Sequence, residues 1–450
     1  MTPKLAWLGD DFTGSAAVME VLAFAGLRTV LFSDIPSEAL AARFAKADAM
    51  GIATTSRGHG PDWMRAHLPA PLAWLDATGA GILHYKVCST FDSSPTSGNI
   101  GTALALCLAQ RPSDAVPLVT AAPQMRRYQS FGHLFAGTFD GVFRLDRHPV
   151  MSRHPVTPMT EADLLRHLAE QTDLPSRLID LEALWSDDPQ AALDAALTSG
   201  ARILSFDSME PRSEAAVGRL IWDNRERLRV AVGSQGLEYA LVRHWQETGA
   251  LPPPPAPESA GRVDRVAAVS GSVSPSTAQQ LDWSAAHGFE LIAFDTVAVL
   301  GSPEALGAEV DRCASAALSA AERGASPLVT SAKGPDDPRV AAFRTALSNS
   351  ATDIETANAR IGQALGRVLD RVLRQSGLRR AVISGGDTSG HGMRALGLEA
   401  LEALAPTIPG AALCTGHGGG AHDGLQIALK GGQMGSEDFF GWIREGGGPR

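Results

Sequence analysis

Apolar and polar positions along this chain fall into blocks, with no short repeat. The stretch "KLAWL" (residues 4–8) reads as a short apolar strand and "SAAVMEVLAFAG" as a helix closed by Gly26, with "RTVLFS" as the next strand. That helix is apolar nearly all round, which suits burial against a sheet. Further strands are expected in "AMGIATTS", "GILHYKVCST", "AVPLVTAA" and "RILSFDS", with helical stretches between them. Strands that alternate with helices predict a mostly parallel sheet with right-handed crossovers.

The pattern breaks at "LPPPPAPESAG", residues 251–261. Four consecutive prolines join neither a helix nor a central strand, so this stretch predicts an extended, semi-rigid linker. Beyond it the logic repeats. "RVAAVSGS" precedes the helix "PSTAQQLDWSAAHG", and "ELIAFD" comes next. "SPLVTSAKG", "RRAVISGGDTSG" and "GLQIALKGGQMG" are each a strand running into a turn rich in glycine or serine. The expected fold is therefore α/β: two α/β domains with mostly parallel sheets and a cleft between them. Their bounds are residues 1–250 and 263–450, joined by a linker over 251–262.

Composition narrows the function. With 450 residues the chain exceeds what one core holds, and 44% hydrophobic with 20% charged residues is the balance of an ordinary globular protein. A net charge of −10 argues against nucleic-acid or membrane-surface partners, which want basic stripes. It still permits a locally basic site for an anionic substrate. Cys88, Cys107, Cys313 and Cys414 are scattered without CxxC spacing, as in reduced thiols. The opening residues have no signal-peptide character and no apolar run is long enough to span a membrane, so a cytoplasmic location is expected. The sequence leaves the oligomeric state open.

In open parallel sheets ligands bind beyond the carboxyl ends of strands, which selects the candidates. In the first half these are Asp10, Asp11 and Thr13, then Ser56 and Arg57, then Lys86, Ser89 and Thr90, followed by the loop "FDSSPTSGNIG". Arg57 and Lys86 suit a carboxylate; the aspartates suit hydroxyls or a proton. Aspartate after a strand is also an ordinary helix cap, and that alternative stands for either carboxylate. In the second half the strand ends carry "SGSVSPS" with Ser270, Ser272 and Ser274, "SGGDTSG" with Gly385, Gly386, Asp387 and Thr388, and "KGGQMG" with Lys430, Gly431, Gly432 and Gly435. Paired glycines let backbone N–H groups approach an anion, and a helix N-terminus adds partial positive charge. Neither a Walker A motif nor G-x-G-x-x-G is present. "GHGGGAHDG" (416–424) matches no standard metal-ligand spacing and reads better as a glycine-rich lid. "HPVMSRHPVTPMTEADL" is either an anion clamp with Arg153 and His154 or a crossover into a helix capped at Thr160, with Asp163 in its first turn.

Together, "GDDFTG", "TTSRG", "YKVCST" with "GNIG", "HPVTPMTEADL", "GSQGLEYAL", "SGSVSPST", "SGGDTS" and "ALKGGQMG" resemble, in order, the four-carbon acid sugar kinases. The resemblance implies an N-terminal acid-sugar domain, a C-terminal nucleotide domain, and phosphorylation of a sugar-acid hydroxyl by ATP with Mg²⁺. It places substrate residues at Asp10, Asp11, Arg57 and Lys86. It places nucleotide residues at Ser272, Gly385–Thr388 and around Gly432. Two departures stand out: Cys88 where many relatives carry aspartate, followed by the longer loop "FDSSPTS" that offers Asp92 as a substitute carboxylate, and Gly431 where serine is frequent. The longer loop resembles the branch that acts on 3-oxo-isoapionate. The competing readings are a non-catalytic two-domain binder of small acids and, less well supported, a dehydrogenase.

Overall fold

The computed structural model describes residues 2–138, 140–154 and 156–450. It divides into two compact units, Met1–Pro255 and Ala256–Arg450, so the division falls inside the proline run.

The first unit contains β1 (Leu5–Gly9), β2 (Thr29–Phe32), β3 (Ala49–Ala53), β4 (Ile82–Lys86) and β5 (Val116–Val119). An antiparallel set comes next, β6 (Arg127–Ser130), β7 (His133–Thr138) and β8 (Gly141–Arg144), and then β9 (Ser176–Ile179), β10 (Ile203–Phe206) and β11 (Val230–Gly233). Its main sheet runs β2-β3-β1-β4-β11-β5-β10-β9, with all pairs parallel. Every residue of β1 to β5 is buried, so these strands read as continuous apolar runs. The chain winds from β1 to one side through β2 and β3, then crosses to β4. The switch point therefore lies between β1 and β4, where Gly9 pairs with Lys86.

The second unit holds β12 (Ala267–Ser270), β13 (Phe289–Ala293), β14 (Ser326–Thr330), β15 (Arg380–Ser384), β16 (Ala400–Ala405), β17 (Leu413–His417) and β18 (Leu425–Lys430). Their order is β13-β14-β12-β15-β18-β17-β16, parallel as far as β18 and antiparallel beyond it. Here too the first strand sends the chain to one side before it returns to the other. This second switch point lies between β12 and β15, where Ser270 pairs with Ser384.

Three local expectations are corrected. "GILHYKVCST" is strand only to Lys86, because "VCST" leaves the ladder after Val87 N–H donates to Gly233 O at 2.7 Å. The helix after β1 starts at Phe12, capped by Asp11, and not at Ser15. The later helix, Leu164–Ala169, is capped by Asp163 and not by Thr160. Residues before it stay extended because Leu134 N–H bonds Ala162 O at 2.9 Å, an edge pairing that a helical turn would forbid. Pro155, within the same motif, lies outside the described residues.

Candidate active site

The two aspartates of "GDDFTG" take different places at the end of β1. Asp10 continues the ladder, its N–H donating to Lys86 O at 2.9 Å, and only 4% of it is exposed. Arg57 donates to it twice, Nε to Oδ2 at 3.0 Å and Nη2 to Oδ1 at 2.7 Å. Asp11 lies one step further on and caps the helix Phe12–Phe24, its Oδ1 accepting from Gly14 N–H at 2.8 Å. The same Oδ1 accepts from Arg57 Nη2 at 2.7 Å, while Oδ2 has no hydrogen bond among the described residues. One guanidinium thus ties both carboxylates. Burial pushes the Asp10 carboxyl up against the pull of Arg57. Burial also opposes the charge on Arg57, but Asp10 and Asp11 outweigh it and hold Arg57 firmly protonated.

Lys86 is almost fully buried and donates to Val87 O at 2.6 Å. Gly14 explains how it fits. A Cβ there would lie 2.4 Å from Asp11 Oδ1 and 2.6 Å from Lys86 Nζ, so only glycine lets the helix start come this close. Thr13, on the same turn, has no side-chain hydrogen bond. Ser56 Oγ shares a 2.9 Å hydrogen bond with the Tyr85 hydroxyl, which burial keeps protonated. Gly14 and Tyr85 were not among the expected site residues, although both lie inside or beside the quoted motifs.

After β4 the chain forms a tight loop. Thr90 Oγ1 donates to Asp92 Oδ1 at 2.5 Å and lies 3.1 Å from Cys88 Sγ. Burial, then the neighbouring Asp92, push the Cys88 thiol up, so it stays protonated. Phe91, fully buried, adopts φ 58°, a strained backbone that fixes Thr90 and Asp92. Asn99 then caps the helix Ile100–Gln110. Ser89 sits in this turn without a side-chain hydrogen bond. The structure thus brings Asp10, Asp11, Arg57 and Lys86 into one cluster and places Cys88, Thr90 and Asp92 on the loop that leaves it.

In the second unit the three expected turns interlock. Gly271 N–H donates to Ser384 O at 2.9 Å, and Gly385 N–H to Lys430 O at 2.9 Å. Ser274, which caps the helix Pro275–Ala286, donates to Gly432 O at 2.5 Å, as does Thr277 at 2.9 Å. A Cβ on Gly432 would lie 2.4 Å from Ser272 Oγ, and one on Gly271 2.2 Å from Thr388 Oγ1. Gly385 has φ 123° and offers no side-chain cap to the helix Gly386–Leu396, so the first N–H groups of that helix are left for a ligand. Ser270 Oγ and Ser384 Oγ are buried without partners. Uncapped amides, orphan hydroxyls and close glycines are what a phosphate chain requires. Lys430 is buried, and burial pushes its ammonium down to about 8. Its Nζ lies 3.2 Å from Gly431 O, and Gly435 adopts φ 96° beside Gln280, which donates to Met434 O at 2.9 Å. Asp387 lies exposed on the first turn of the Gly386 helix.

Residues 418–424 form the connection between β17 and β18, with His417 2.7 Å from Glu402 and His422 2.7 Å from Asp370. Among the described residues no three His, Cys, Asp or Glu side chains converge on a metal position. His154 Nδ1 engages Thr157 N–H at 3.1 Å, so it is tied within its own turn. No helix among the described residues is long and apolar enough to cross a membrane.

Comparison with known proteins agrees with this division. A sugar-binding N-terminal domain model matches residues 5–241, and a nucleotide-binding C-terminal domain model matches residues 267–440. The chain is 46% identical to the 3-oxo-isoapionate kinase of Paraburkholderia graminis, covering 98% of this chain and 94% of that one. It is 32% identical to a 3-oxo-tetronate kinase of Methylobacterium radiotolerans, covering 98% of each. Among solved structures, a Salmonella typhimurium protein described as a putative tRNA synthase superposes with TM-score 0.79 at 25% identity, covering 98% of each chain. A Haemophilus influenzae protein at 21% identity shares the fold, with TM-score 0.74. The chain is a phosphotransferase that acts on a hydroxyl group, which sets aside the binding-protein and dehydrogenase readings. It belongs to the four-carbon acid sugar kinase family.

Proposed function

We propose that the chain transfers the γ-phosphoryl group of ATP to a hydroxyl of a small 3-oxo sugar acid, with 3-oxo-isoapionate the first candidate. The substrate choice is supported by the 46% identity to a 3-oxo-isoapionate kinase across nearly the whole chain. The chemistry is supported above all by one observation: two adjacent carboxylates share one guanidinium, and only Asp11 keeps an oxygen without a partner.

That asymmetry divides the labour. Asp10 is spent on fixing Arg57. Asp11 Oδ2 is the acceptor for the proton of the attacking hydroxyl, and Arg57 and Lys86 restrain the charge around it. On the second unit the amides after Gly385 and around Gly432 hold phosphate oxygens, with the Ser270 and Ser384 hydroxyls as additional donors. Phosphoryl transfer needs little covalent help from protein groups, so positioning and charge neutralisation supply most of the rate. Asp387, exposed on the first turn of its helix, is the protein carboxylate that would hold the Mg²⁺ of the nucleotide, which would neutralise phosphate charge there.

The test incubates the full chain with ATP, Mg²⁺ and a panel of tetronates, 3-oxotetronates and 3-oxo-isoapionate, and follows ADP. Acid-dependent ADP release is expected, fastest with 3-oxo-isoapionate. Absence of stimulation by every acid refutes the reading.

A further inference from the structure

We infer that Arg127 binds the carboxylate of the sugar acid through the Nε–Nη2 edge of its guanidinium. This assignment rests on the sugar-acid kinase reading above. Arg57 and Lys86 are the two cations at first expected to hold that carboxylate, but Arg57 Nε and Nη2 are already bonded to Asp10 and Asp11, and Lys86 is a single ammonium tied to Val87 O. Neither presents a free two-pronged edge to the substrate anion, and Arg127 has the geometry for it.

Arg127 opens β6, and two backbone hydrogen bonds pin it to Ala122, which lies just past the carboxyl end of β5. This is the ligand-bearing end of the sheet. Its Nη1 donates to three carbonyl oxygens, Met125 at 3.2 Å, Arg126 at 3.4 Å and Gly137 at 3.3 Å. Among the described residues its buried Nε has no partner and Nη2 has no hydrogen bond. The tied corner fixes the plane of the guanidinium, and the opposite edge presents two parallel N–H donors, the fork that recognises a carboxylate bidentately. A buried cation without an ion-pair partner is costly, and a ligand anion removes that cost on binding. Burial lowers the basicity of Arg127, while Asp92 supports its charge. Cys88 in turn feels Asp92, Arg57 and Lys86, which places all of these groups in one electrostatic neighbourhood.

The experiment measures KM for the acid and for ATP with the full chain as wild type, Arg127→Lys and Arg127→Gln. The acid is the one that gives most ADP in the panel, and its neutral primary amide is the comparison substrate. Arg127→Gln is expected to raise the acid KM roughly 10- to 100-fold. The ATP KM should hold, and the preference for acid over amide should fall by the same factor. Arg127→Lys, which keeps the charge but not the fork, should fall between. If Arg127→Gln keeps the wild-type acid KM and acid-over-amide preference, the inference is overturned. So too if it lowers melting temperature and kcat while that preference survives, since Arg127 then only braces its own loop. Should Arg127→Gln fail to fold, Arg127→Lys decides, and a wild-type acid KM overturns the inference. A wild-type protein that phosphorylates no acid overturns the kinase reading itself, and the inference with it.

Discussion

Asp10 and Asp11 are chemically identical neighbours, yet the structure predicts opposite consequences for changing them to asparagine. Asp10→Asn removes a buried carboxylate that takes two charge-assisted hydrogen bonds from Arg57. Asparagine offers one acceptor, and its NH₂ would face an Arg57 N–H, donor against donor. Breaking a buried pair on one side costs about 3–5 kcal/mol. Asp11 Oδ1 still takes Arg57 Nη2, so we expect somewhat less than that, about 2–4 kcal/mol. In a unit of this size each kcal/mol shifts Tm by about 2–4 °C, giving a fall on the order of 4–16 °C. Asp11→Asn differs, because asparagine caps a helix as well as aspartate and the side chain is partly exposed. Its stability should change by less than about 1 kcal/mol, while kcat falls on the order of 10²–10⁴-fold with the loss of the proton acceptor. Calorimetry of the full chain, with the ATP-shifted transition assigned to the second unit, reads stability, and ADP release reads turnover. The reasoning is refuted if Asp11→Asn keeps its turnover, or if Asp10→Asn melts with the wild type.

Three further outcomes are expected. Gly14→Ala drives a methyl into Asp11 Oδ1 and Lys86 Nζ and should reduce acid turnover at least 10-fold; unchanged turnover at saturating acid would show that these groups relax at no cost. A Cβ on Gly386 meets nothing within 4 Å, so Gly386→Leu should fold normally while weakening ATP at least 10-fold in a direct binding assay; wild-type affinity would dismiss the phosphate cradle. Burial holds Lys430 near 8, and a bound phosphate raises it again, so ATP binding should take up a proton between about pH 8 and 9.5 and weaken as pH rises through that window. Titration calorimetry in buffers of different ionisation heat reads the uptake, which Lys430→Gln should abolish; equal uptake in the variant refutes the assignment.

Much of the fold was legible because its signals are local. Runs such as "LAWLG" and "RAVIS" are buried on both faces and carry no alternation to confuse them, and the proline run marks where the two units divide. The helix start at Asp163 was misplaced because the choice between two capping residues was made by an edge pairing with β7, thirty residues away in the chain. The antiparallel strands β6 to β8 went unseen because they are half-exposed and short.

The division within the site was of a different kind. Sequence alone determined which strand ends bear chemistry, since strand, turn glycine and polar residue are adjacent along the chain. It could not say which aspartate caps and which binds Arg57, because that depends on where β3 delivers Arg57 relative to β1. Nor could it show that Arg57 is already committed or that Arg127 presents an unpartnered edge. Hydrogen-bond satisfaction is a property of groups distant in sequence, and packing alone decides which donors are left for a ligand.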